Sequence, residues 1–225
     1  MLYSYFSSLH GDWVAMHPRT KNTDNRQRSF RDLALVGGHP ALDFVNTVKY
    51  RGAVDPQDKF DTIFDILLWA RIAGLLSSQE LSKVKELARK GGTNTRLLNQ
   101  IRSFRDQVRV LFDESVIHTG DHSSAIASVE QAISRLRFVA TIDKETGILV
   151  RSIPVFRPVD VFSRIVSCVA DLLCRKENML VKACGGSDCD WLFVDRTKAK
   201  RRQWCDTRTC GNLARVRKFR SQRKT

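Results

Sequence analysis

CGGSDCDWLFVDRTKAKRRQWCDTRTC, residues 184–210, is the stretch on which the reading of this chain turns. It holds four of the six cysteines, as Cys184-x4-Cys189 and, fifteen residues on, Cys205-x4-Cys210. Two thiol pairs closed by one short loop are a donor set for a tetrahedral zinc ion. The competing reading is two disulfides in an oxidising compartment. Met1 to Ala15 has no basic n-region, and Gly11, Asp12 and Trp13 break its apolar run, so it reads as no export signal. A cytoplasmic, reducing location is the expectation, and with it one structural Zn2+ on Cys184, Cys189, Cys205 and Cys210. Four thiolates leave no open position for water, so the metal is expected to hold the fold rather than to catalyse.

Around the cysteines apolar residues are few: Trp191, Leu192, Phe193, Trp204, Leu213, Val216 and Phe219. That is too little for an independent core, and metal binding supplies on the order of 10 kcal/mol of folding free energy in such modules. Trp191 to Val194 reads as a strand and Lys198 to Gln203 as a basic loop. Cys205 and Cys210 fall at the start of a helix, whose N-terminus favours thiolate. Leu213, Val216 and Phe219, at i, i+3 and i+6, are expected to face the strand. The order of knuckle, strand, loop and helix resembles a treble clef.

Charge is concentrated in the same place. The 225 residues carry 38 Lys or Arg and 24 Asp or Glu, a net +14. Between Arg196 and Thr225 stand twelve bases and one acid, Asp206; the other 195 residues hold 26 bases and 23 acids. A near-neutral body with a basic end points to a polyanion as partner. No apolar run is long enough to span a membrane.

Outward from the cysteines, the body reads as mostly helical. A polar extension is expected over residues 1–30, with Met1 or Met16 as the start. A helical domain with a hairpin is expected over 31–178, and the zinc module over 180–225. Pro40 to Tyr50 reads as a short helix after Gly37 and Gly38. Phe60, Ile63, Phe64, Leu67 and Leu68 mark an amphipathic helix within Lys59–Leu76. Asp61 and Asp65 sit at its solvent edge. Ser77 and Glu80 form a capping box for the next helix, which Gly91 closes. Leu97, Ile101, Phe104, Val108 and Leu111 mark a long helix, and Ser123 opens another with Ile126, Val129 and Ile133 inward. Residues from Arg135 to Val155 read as a β-hairpin around Asp143–Gly147. Pro158 opens a final body helix, in which Cys168 and Cys174 read as small buried hydrophobes. The fold class is thus mostly α with a β-hairpin, α+β, followed by a small treble-clef-like zinc finger.

Two segments resemble known families. Paired cysteines, WLFVD, the basic RR before WC, and CGN followed by a basic helix, in that order from Cys184 to Arg217, resemble the CGNR zinc finger. LVGGHPALDFVNTV, residues 35–48, resembles the start of the ABATE domain that precedes this finger. The resemblance implies a bacterial transcription regulator of a family with stress-induced members, and zinc ligands at the same four cysteines. Leu213 departs from it, standing where the motif has Arg after Gly211 and Asn212.

The body supplies a candidate input site. His39, Asp43 and Asn46, with Trp69, either line a pocket for a small-molecule effector or satisfy backbone groups of a neighbouring loop. No nucleophile elbow, P-loop, HExxH or dinucleotide fingerprint is present, so no enzyme is expected. Three functions compete. In the first, the finger binds double-stranded DNA. Lys198, Lys200, Arg201, Arg202, Lys218 and Arg220 contact phosphates, and Arg215 and Arg217 reach base edges. In the second, the finger binds RNA, with Trp191, Phe193 and Trp204 stacking on bases. In the third, it is a protein-interaction module. A homodimer through the body fits a regulator, although no heptad repeat is legible.

Overall fold

The computed structural model describes residues 35–49, 56–91, 94–112, 122–175, 180–187 and 189–223. The expected polar extension, and the choice between Met1 and Met16, lie outside the described residues. Seven helices and three two-stranded antiparallel sheets make up the described chain.

Helix α1, Pro40–Val45, is shorter than the run PALDFVNTVKY promised. Thr47 turns back to donate its hydroxyl to the Phe44 carbonyl at 2.7 Å. The chain then enters β1, Val48–Lys49, which pairs with β2, Gln57–Asp58. Arg105 fixes that pair, donating to both Asp58 oxygens at 2.7 and 2.6 Å and to Thr47 at 3.0 Å. Burial alone would raise the Asp58 carboxyl, but the bonds and charge of Arg105, with Arg102 beside it, hold it below the ordinary carboxylate range.

Helix α2, Ile63–Ile72, starts at a capping box of Thr62 and Asp65. Asp65 is therefore not at a solvent edge. It is buried, and accepts from the Thr62 backbone N–H at 2.7 Å and hydroxyl at 2.8 Å. The buried set is Ile63, Ile66, Leu67, Trp69 and Ala70, broader than one stripe, because neighbours cover the helix from several sides. Helix α3, Ser78–Lys90, has the expected capping box, with Glu80 bonded to Ser77 and gripped by Arg164. Those contacts outweigh burial and hold the Glu80 carboxyl down at about 2. Helix α4, Thr95–Val110, buries Leu98, Ile101, Phe104 and Val108. Helix α5, Ser123–Ser134, buries Ala125 and Val129 but leaves Ile126 exposed, contrary to expectation.

Strands β3, Val139–Ile142, and β4, Leu149–Ser152, form the expected hairpin. Helix α6, Pro158–Cys174, then runs through the middle, touching α1 to α5. Its Cys168 is half-buried and Cys174 is exposed, so only the first behaves as a packed hydrophobe. Burial pushes the Cys168 thiol far up, beyond the range of a reactive thiolate. The finger follows as β5, Val181–Ala183, β6, Leu192–Val194, and α7, Cys210–Gln222.

Leu192 and Val194 of β6 are buried in the same core as Phe44, Trp69, Ile101 and Val169. The finger strand thus completes the body core. A smaller cluster of Phe193 and the cysteines lies on the other side of that strand. The alternation of side chains along β6 serves both cores at once.

Candidate metal centre and nucleic-acid interface

The finger is built around a backbone knuckle. The Cys184 N–H donates to the Trp191 carbonyl at 2.8 Å, and Gly185 N–H to Gln203 at 2.8 Å. A Cβ on Gly186 would lie 3.3 Å from Cys189 Cβ and 3.4 Å from Cys210 Sγ, so this turn has little room for a side chain. Cys210 is the first residue of α7, where the helix N-terminus faces the sulfurs. Cys184 and Cys205 are buried, and Cys189 and Cys210 half-buried.

The four sulfurs lie within 4.8 Å of one another. Cys189 to Cys205 and Cys205 to Cys210 are both 3.7 Å. A tetrahedron with Zn–S bonds of about 2.3 Å has an edge of about 3.8 Å, so the donor set has the size of a zinc site. Its proton chemistry fits as well. Hydrogen bonds, first from Cys205, pull the Cys189 thiol down to about 6. Cys205, donating to that thiolate and buried, is pushed up; Cys210, buried beside the same charge, is pushed up to about 11. The crowded thiols thus resist ionising together, and a divalent cation offsets the repulsion among their thiolates. The site takes one structural zinc, held by Cys184, Cys189, Cys205 and Cys210.

Asp195, the acid that ends WLFVD, is the second organising residue of the finger and was not singled out from sequence. It is fully buried. It accepts from Lys182 Nζ at 2.8 Å, Thr197 N–H and hydroxyl at 3.0 and 2.6 Å, and Arg202 N–H at 3.0 Å. These donors outweigh its burial and hold its carboxyl well below the ordinary range. The available signal was an acid beside a long basic run.

The basic residues divide by placement. Arg202 lies over the Phe193 ring, its guanidinium carbon 4.4 Å from the centroid. Its Nε donates to the Trp204 carbonyl at 2.8 Å, and its Nη2 to the Cys205 carbonyl. Lys200 sits at φ +52° and turns its Nζ back to the Asp195 carbonyl at 3.2 Å. Lys198, Lys200 and Arg201 in the loop, and Arg215, Arg217, Lys218 and Arg220 on α7, are exposed, and Arg215 also donates to the Thr207 carbonyl at 3.3 Å. So is Arg208, just before the helix. Of the aromatics, Phe193 is fully buried and Trp191 and Trp204 are half-buried in the small core.

Helix α7 does not pack as expected. Leu213 and Phe219 are each 55% exposed, and Val216 is exposed too. The side toward the finger is instead the small one: a Cβ on Gly211 would stand 3.5 Å from the Trp204 ring. The outward face therefore mixes Val216 and Phe219 with Arg215, Arg220 and Arg223.

Of the four body residues, Asn46 lies where the finger docks, and His39, Asp43 and Trp69 are buried within the body. His39 caps α1, its Nδ1 accepting from the Ala41 N–H at 3.2 Å, and its Nε2 lies 3.1 Å from Asp171. Asp43 accepts from the Gly37 N–H at 2.8 Å, while its other oxygen is buried without a hydrogen-bond partner. Asn46 grips β6 from both sides: its Nδ2 donates to the Leu192 carbonyl and its Oδ1 accepts from the Leu192 N–H, each at 2.8 Å. Trp69 is stacked in the core, 5.4 Å from Phe44 and 5.9 Å from Phe60. Two more bonds cross the junction, from Val194 N–H to the Gly37 carbonyl and from Arg109 to the Asp190 carbonyl. Gly37 has no space for a side chain, since its Cβ would meet Leu42 Cβ at 2.8 Å; Gly38 turns the chain at φ +75°.

Among the described residues no helix is long and apolar enough to cross a membrane. Residues 38–176 match the ABATE family, described as "Putative stress-induced transcription regulator", and residues 181–223 match the CGNR zinc finger. No curated protein matches the chain. With the first match covering more than half of the sequence, the chain belongs to the ABATE family and carries a CGNR zinc finger after that domain.

Proposed function

We propose that this protein regulates transcription by binding double-stranded DNA through the zinc finger, with the helical body holding the finger in place. One observation carries the reading. A metal-sized cysteine cluster fixes a short helix whose Arg215, Arg217, Lys218 and Arg220 are all exposed, beside a loop exposing Lys198 and Arg201. The family description agrees with it. Loop and helix cations neutralise phosphates, and Arg215 and Arg217 are the base-edge readers. Arg202 is assigned a shaping role instead, because its half-buried guanidinium lies over Phe193 and bonds the Trp204 carbonyl. His39, Asp43, Asn46 and Trp69 are assigned to the body core and its junction with the finger rather than to an effector, because the bonds they make and their packing are internal.

The test offers zinc-loaded protein a random duplex DNA pool and a random single-stranded RNA pool together, at one fixed salt concentration near physiological. The expected result is enrichment of a DNA sequence. Replacing Arg215 and Arg217 should then relax sequence preference, and replacing Lys198 and Arg201 should weaken all sequences alike. Preference for RNA, or binding to neither pool, overturns the reading. The half-buried Trp191 and Trp204 and the buried Phe193 weigh against base stacking as the main contact.

A further inference from the structure

The β3–β4 hairpin is the most exposed regular element of the body. Every residue from 137 to 152 is exposed, on both faces of the two strands. The register pairs Val139 with Ser152, Ala140 with Arg151, Thr141 with Val150 and Ile142 with Leu149. One face thus carries Phe138, Ile142 and Leu149, and the other Val139, Ile148 and Val150. Ile142 is 67% exposed and Ile148 52%. A two-stranded ribbon with both faces in water is marginal by itself. Its apolar, β-branched residues suit a wider sheet, in which added strands supply cross-strand neighbours on each face.

The backbone edge points the same way. β3 pairs only with β4, so its other edge is open among the described residues. Asp143 N–H donates inward to the Ile148 carbonyl at 2.9 Å. By alternation the N–H groups of Thr141 and Val139 also point inward, and those of Ala140 and Ile142 point out. Open edges are normally guarded by Lys, Pro or a bulge. The sequence VATI of β3 has none of these.

We infer that β3 pairs edge to edge with β3 of a second copy across a two-fold axis, giving a four-stranded antiparallel sheet as the dimer interface. Charge selects this occupant. The chain is +14 overall, so two copies repel. Residues 138–153, with Asp143, Glu145, Lys144 and Arg151, are neutral, and β3 has no charge at all. A neutral apolar edge offers nothing to a polyanion and meets its own copy without repulsion. A two-fold contact is self-complementary, as one strand pairing with its own copy must be. This inference does not rest on nucleic-acid binding.

The test uses the full zinc-loaded chain. Sedimentation across a concentration series should give a mass of twice 25.7 kDa. Hydrogen exchange should show the outward amides of Ala140 and Ile142 protected. Ile142→Lys puts a charge on the paired strand of each copy, and should raise the dissociation constant at least tenfold and free the Ala140 amide. Zinc content and helical circular dichroism report whether the variant still folds. Thr141→Lys, on the opposite face, repeats the test should the first variant misfold. A monomeric wild type with fast-exchanging amides at Ala140 and Ile142 overturns the inference. So does a dimer that both folded variants leave intact.

Discussion

Asp43 shows how one buried carboxyl carries a pH dependence. Burial pushes it from 3.8 to about 7, against the opposing pull of the Gly37 N–H. Between those values the folded state holds a proton that the unfolded state has released. Stability therefore falls as pH rises through this window, and levels off above about 7. Asp43→Asn keeps an acceptor for Gly37 and cannot ionise. Its stability relative to wild type should rise between pH 5 and pH 8 by on the order of 2 kcal/mol, read from urea midpoints. A difference that stays constant over that range would mean that Asp43 does not titrate in this way. From sequence, Asp43 and Asn46 were legible as unusual polar residues on an apolar helix. Their partners were not, because Gly37 and the Leu192 backbone are 6 and 146 residues away.

At the scale of elements, the junction of α1 with β6 is the decisive contact. Asn46 serves both backbone groups of Leu192, and Val194 binds Gly37 beside it. Asn46→Ala leaves a buried N–H and C=O unpaired, at a cost of about 2–4 kcal/mol. The Leu192 amide should exchange faster by a matching factor, while zinc content holds. Unchanged exchange at Leu192 would show that the strand is held without Asn46. Capping boxes and long helices were readable because their signals lie within a few residues. The stripe of Leu213, Val216 and Phe219 was read correctly as a stripe and wrongly as a packed one. Periodicity gives a face, and Gly211 against Trp204 decides which face turns inward.

For the whole molecule, finger and body share a core, since Leu192 and Val194 belong to the cluster that holds Phe44 and Trp69. Removing zinc with a chelator should therefore lower the melting temperature of the body helices as well as unfold the finger. Circular dichroism at a helical wavelength reads the body, which holds six of the seven described helices. An unchanged melting temperature after zinc loss would show that the two parts are independent.

The sequence by itself determined the helical body, the hairpin, the metal centre and the concentration of positive charge. Each is written in short-range spacing, composition or the chemistry of cysteine. Tertiary structure decided the rest. It put Asp195 and Arg202 to work inside the finger, while Arg215, Arg217, Lys218 and Arg220 stayed exposed. It made β6 common to two cores, and left β3 with an open edge. The physical reason is the same throughout. A side chain's type fixes what it can bond or bury, but only packing across long separations fixes which partner it meets and which face is left to water.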